Sequence, residues 1–130
     1  MFWEFTAPRA RRAGELVGSA AREGFVGRRR SRTGLWVLGG RVARLTVQPR
    51  GARTLFVRNG PSANVVRVIS GASQQERHLA PGESITVRLY KSRAGQAVPV
   101  TVSSEAGFRP ADMEAGNRDV RLLGVWVELR

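Results

Sequence analysis

The sequence predicts a mostly β protein, an antiparallel β-sandwich of jelly-roll type preceded by a basic N-terminal arm or short helix. Three observations predict it. From Leu35 onward apolar residues recur with a period of two, turn-forming dipeptides punctuate them, and residues 1–34 follow neither pattern. A chain of 130 residues suits one domain, so 1–34 reads as the arm and 35–130 as the sandwich.

Within the arm, Arg9, Arg11, Arg12, Arg22 and the run Arg28, Arg29, Arg30 and Arg32 outnumber Glu4, Glu15 and Glu23. Pro8 suits the first position of a helix, where its missing N–H has no partner to lose. Ala13, Leu16, Val17, Ala20 and Ala21 then fall near one helical face. Gly14, Gly18 and Gly24 weaken that helix, each by up to about 1 kcal/mol relative to alanine. Two expectations follow: a marginal amphipathic helix ordered against a neighbour, or an arm extended over another subunit.

The strands come next. Leu35 to Leu38 is continuously apolar and reads as a fully buried strand. Ala43, Leu45 and Val47, then Leu55 and Val57, then Val66 and Val68 supply three more. Ile85, Val87 and Leu89 alternate with polar residues, as do Val98, Val100 and Val102. The last strand, with Leu123, Val125, Val127 and Leu129 in one phase, has Leu122 and Trp126 in the other. A strand apolar in both phases is one covered on both faces. Between these runs stand Gly39-Gly40, Pro49-Arg50-Gly51, Asn59-Gly60-Pro61, Ser70-Gly71, Pro81-Gly82 and Ala94-Gly95, all turn chemistry. Glu105 to Asp119 is the one long connection.

Composition narrows the chemistry. Cysteine is absent, which excludes disulfides, thiolate metal sites and cysteine nucleophiles. No apolar run approaches the roughly 18 residues that span a membrane, and Glu4 interrupts the aromatic start, so neither a span nor ordinary export is expected. The formal charge is +12, and Lys91 is the single lysine. That balance predicts attraction to an anionic partner: nucleic acid, an acidic polysaccharide or an acidic protein face. A GC-rich genome alone would also favour arginine.

No nucleophile elbow or phosphate-cradling loop is present. The single histidine, His78, reads as a solvated loop residue before Pro81-Gly82, which leaves a Ser-His-Asp triad without a base. The chain therefore reads as no enzyme, with no cofactor. Asp112, Glu114 and Asp119 offer oxygen ligands at a spacing foreign to an EF-hand, and Arg109, Arg118 and Arg121 stand beside them to neutralise them. No metal is expected.

Phe56, Tyr90 and Trp126 lie out of phase with the apolar faces and are the candidate ligand or interface residues. Aromatic platforms flanked by arginine suit sugar rings or unstacked bases. The plainer expectation is that a neighbour or the arm covers them. Arg28, Arg29, Arg30 and Arg32 are the candidate contacts to an anionic partner.

The ending Phe108-Arg109-Pro110, with Gly116, Asp119, Arg121, Leu123, Gly124, Val125 and Val127, resembles the close of β-sandwich modules attached to bacterial surface-polysaccharide proteins. It covers about twenty residues, and implies a glycan-associated, non-catalytic sandwich. A local account accompanies it: Asp119 pairs with Arg121 across a bend, and Gly124 lets the strand bulge. The architecture as a whole looks like the small decoration, turret or spike-base proteins of tailed phages and gene transfer agents. That likeness implies an oligomeric structural or attachment protein of a virion, assembled in the bacterial cytoplasm. A bacterial polysaccharide-binding β-sandwich module is the alternative function and the cytoplasm the alternative location, and a small basic nucleic-acid-binding protein ranks third.

Overall fold

Alternating apolar residues need a second apolar face, and here two sheets supply it to each other. The computed structural model describes residues 15–18, 25–26, 34–48, 54–89 and 97–130. Strands numbered in chain order form two five-stranded antiparallel sheets. Sheet A runs β1 (Glu15–Gly18), β4 (Arg41–Gln48), β9 (Val98–Ser104), β6 (Asn64–Ser70), β7 (Ser73–Leu79). Sheet B runs β2 (Phe25–Val26), β3 (Gly34–Leu38), β10 (Leu123–Leu129), β5 (Thr54–Asn59), β8 (Ser84–Arg88).

The pairings nest. β6 pairs with β7, β5 with β8, β4 with β9 and β3 with β10, so eight strands make one long hairpin. Successive pairs alternate between the sheets, which rolls that hairpin into a sandwich. This is jelly-roll topology. The hairpin closes at Gly71 and Ala72, between the paired residues Ser70 and Ser73. Gly71 has φ of 60° and no non-glycine residue is left-handed among those described, as a type II′ turn requires. Ala80-Pro81-Gly82-Glu83 makes a second tight turn, where the Glu83 N–H donates to Ala80 O at 3.0 Å and Gly82 takes φ of 73°. Proline followed by left-handed glycine is type II.

The core fills from both inner faces. Leu35, Val37, Leu55, Val57, Val87, Val125, Val127 and Leu129 of sheet B meet Ala43, Leu45, Val47, Val66, Val68, Val98, Val100 and Val102 of sheet A. Branched residues dominate because they pack well on a pleated surface.

Three local expectations need correction. Glu15–Gly18, inside the segment read as a helix, is an edge strand paired with β4 from Glu15↔Gln48 to Gly18↔Leu45. Gly14 and Gly18 weaken a helix there, while the β4 edge offers ready backbone partners. Leu35–Leu38 is not fully buried, since Trp36 and Leu38 face outward and are half-buried. His78 lies within β7 rather than in a loop, and it is exposed.

At the end of the sandwich that carries the Pro81-Gly82 turn, a buried amide network ties the loops together. Asn64 Nδ2 donates to Asn59 Oδ1 at 3.2 Å and to Ser104 Oγ at 2.8 Å. Asn64 Oδ1 accepts from Val65 N and Ala106 N, each at 2.8 Å. All four hydrogen-bonding positions of this side chain are used. Asn64→Ala should therefore destabilise the fold by about 2–4 kcal/mol, because each stranded buried partner costs on the order of 1–3 kcal/mol. Urea denaturation measures this, and a loss below about 1 kcal/mol would mean that water replaces the amide.

Candidate functional site

Opposed residues on neighbouring strands share a face, so register alone lays out the outward surface of sheet B. One row is Trp36, Trp126, Arg58 and Ser84; the next is Gly34, Glu128, Phe56 and Thr86. A third is Arg130, Thr54 and Arg88, with Thr54 and Arg130 exchanging backbone hydrogen bonds at 3.0 Å in both directions. The face thus combines aromatic rings, arginines and a single carboxylate.

Trp126 is 5% exposed although it points away from the core. Its six-membered ring lies across Gly34, where any Cβ would run into it. Trp36 meets it edge to face at 5.8 Å between ring centroids, and Trp36 meets Phe108 the same way at 5.7 Å. Such tilted pairs put ring edges on ring faces, the favourable quadrupole arrangement. Every residue of β10 is buried, which is the two-sided coverage its apolar pattern implies.

Glu128 is 0% exposed and shares this face. Its Oε1 accepts from Trp126 Nε1 at 3.2 Å and from an Arg130 guanidinium nitrogen at 3.3 Å. Among the described residues Oε2 has no hydrogen-bond partner. The Arg130 guanidinium also sits 3.6 Å from the Phe56 ring centroid. One cation therefore serves both a carboxylate and a π face.

Of the candidate residues, Phe56 and Trp126 lie in adjacent rows of this face, Phe56 half-buried and Trp126 buried. Tyr90, Arg28, Arg29, Arg30 and Arg32 lie outside the described residues. Sequence reasoning missed Trp36, Phe108, Glu128 and Arg130. Glu128 had a signal: it is the only charged residue inside a strand apolar in both phases.

Sheet A's outward face is different. Val42, Ser103, Arg67 and Glu76 form one row, Arg44, Thr101, Ile69 and Gln74 the next. Arg67 and Glu76 pair across strands at 3.0 Å with both side chains about half exposed, which contributes little. Among the described residues no three His, Cys, Asp or Glu groups gather as a metal would require. In the loop that precedes β10, Arg121 holds Asp119 at 2.6 Å. That hydrogen bond keeps the Asp119 carboxyl below its ordinary range and raises Arg121. The pair contributes stability above the usual Asp titration range and loses it as pH falls through the lowered value. The register shift between Leu123 and Val125 is the bulge at Gly124, where a Cβ would collide with Ser104 and Val37 O.

Fold and face define a jelly-roll sandwich with one aromatic outward surface and one that mixes charged, hydroxyl and aliphatic side chains. A scan against protein-family models, a search of curated proteins and a search of solved structures each found no match to the chain.

Proposed function

We propose that this chain is a non-enzymatic structural or attachment protein, an oligomeric surface or decorating component of a phage-like particle. The observation that carries the reading is the contrast between the two outward faces. Sheet A mixes Arg44, Arg67, Glu76, Thr101 and Ser103 with Val42, Val65 and Ile69 and carries no aromatic ring among the described residues of its paired rows, whereas sheet B presents Trp36, Leu38 and Phe56 half-buried around Trp126 and Glu128. A sheet whose second face is aromatic suits a neighbour better than solvent. Jelly rolls build both capsid and lectin domains, so fold supplies an analogy rather than a role. Among the described residues no helix is long and apolar enough to cross a membrane.

The polysaccharide-binding reading rests on the same face, because tryptophan and phenylalanine beside arginine suit sugar rings. Arg130 already covers one side of Phe56 and Trp126 is buried, which favours assembly over an open sugar platform. Light scattering on the full chain separates the two. A concentration-independent oligomer that Trp36→Ala weakens supports assembly. A monomer that binds bacterial polysaccharide on a glycan array overturns it.

A further inference from the structure

An edge strand leaves every second N–H and C=O without a partner in its own sheet, and hydrogen-bonding parity shows which residues of β8 these are. Thr54 exchanges N–H and C=O with Arg130, so the even-numbered residues of β5 turn toward β10 and the odd-numbered ones toward β8. Asn59 N accordingly donates to Glu83 O at 2.8 Å. Ile85 and Val87 follow the same parity, which leaves the N–H and C=O of Ser84, Thr86 and Arg88 directed away from β5. β8 stands at the end of sheet B, and among the described residues no strand pairs with that side. Ser84, Thr86 and Arg88 carry exposed side chains on the outward face, while Val87 is buried and Ile85 packs on the core half-buried.

We propose that a second copy of this chain adds antiparallel to the β8 edge and joins the two five-stranded B sheets into one, which rests on the assembly reading above and names its contact. Self-complementarity selects the partner. Paired about a two-fold axis at Thr86, the strand lays Thr86 against Thr86, Ser84 against Arg88 and Ile85 against Val87. The edge-directed N–H and C=O groups of Ser84, Thr86 and Arg88 then meet their counterparts in the second copy, and a two-fold contact of this kind closes as a dimer. Inward, Ile85 beside Val87 of the second copy carries the core across the seam. Outward, threonine meets threonine and no like charges meet, both favourable cross-strand arrangements.

The register is fixed by what its neighbours cost. A slip of one residue sets the core side of one strand against the solvent side of the other. Moving the axis to Ile85 sets Glu83 beside Val87 and Arg88 against Gly82, whereas moving it to Val87 carries Ser84 past the end of the strand. Between Ser84 and Val87 the strand has no proline and no charge, the devices by which edges refuse partners. β7, at the edge of sheet A, has them: paired about its middle residue it sets Glu76 against Glu76. Along the joined sheet one row runs Phe56, Thr86, then Thr86 and Phe56 of the second copy, so the two aromatic faces become a single surface.

The test follows self-association of the full chain by analytical ultracentrifugation at physiological ionic strength, where screening confines the repulsion between two +12 chains to about 8 Å. Thr86→Lys and Thr86→Glu each place like charges directly across the axis from an exposed site, and each should weaken dimerisation more than about tenfold. Mixing the two variants should restore a dimer with one chain of each, because opposite charges then meet. Thr86→Pro deletes an N–H that β5 does not use, so it should weaken the dimer and spare the fold. Circular dichroism checks the fold of each variant. An oligomer that Trp36→Ala weakens while the Thr86 changes leave it intact overturns the β8 contact and keeps the assembly reading. Lysine and glutamate variants that stay monomeric when mixed overturn the pairing at Thr86. A native chain that is monomeric at every concentration overturns both.

Discussion

Val87→Asp should leave the protein insoluble or unfolded. Val87 is 2% exposed on β8, directly opposite Leu55, which is fully buried on β5. An aspartate there would sit among the branched apolar side chains of the core, which are its neighbours among the described residues. Burying an unpaired carboxylate costs several kcal/mol, comparable with the roughly 5–15 kcal/mol that holds a small domain together. Soluble yield and the far-ultraviolet β spectrum report the outcome directly. A cooperative melt at the native temperature would mean that the inner face of β8 has been assigned wrongly.

Trp126→Ala should destabilise the fold by about 3–5 kcal/mol, the usual cost of truncating a buried aromatic. Three losses contribute. The space above Gly34 opens, the edge contact with Trp36 goes, and among the described residues Glu128 keeps Arg130 alone as a donor. Trp126→Phe narrows the cause, since it keeps one six-membered ring while deleting the pyrrole ring and its N–H. Chemical denaturation should place it between the native protein and the alanine variant. A Trp126→Ala protein with native stability and an unchanged oligomer would refute the assembly reading of this face.

Much of this architecture was legible because burial writes itself into the period of the strands. Ile85, Val87 and Leu89, or Val98, Val100 and Val102, alternate because one side of each strand meets the core. Gly71, Gly82 and Gly124 marked turns or a bulge for conformational or steric reasons that sequence carries. β7 was not legible. Its residues Ser73 to His78 are polar in both phases because this edge strand overhangs the core, so only its backbone pairing with β6 defines it. β1 was hidden for a related reason: Leu16 and Val17 fit either a helix face or an edge strand, and the tertiary partner decides. The aromatic face was half legible. Trp126 and Phe56 stood out of phase, but the ring contacts of Trp36 with Phe108 and Trp126 join distant parts of the chain, which no local pattern encodes.

The nested pairing also bears on how the chain is made. β10 sits in the middle of sheet B, hydrogen-bonded to both β3 and β5, yet of these ten strands it is the last to emerge during synthesis. Until it emerges, β3 and β5 have a gap between them, and their inward valines and leucines lack a complete sheet to close over. The β6–β7 hairpin forms early from local contacts, but each outer pair must close a longer loop before it gains anything. Until β10 emerges, the growing sandwich has unpaired strand edges, the condition under which aggregation competes with folding. The polar, charged edge strand β7 then has a kinetic role as well: it is the part of the early hairpin least able to recruit another chain.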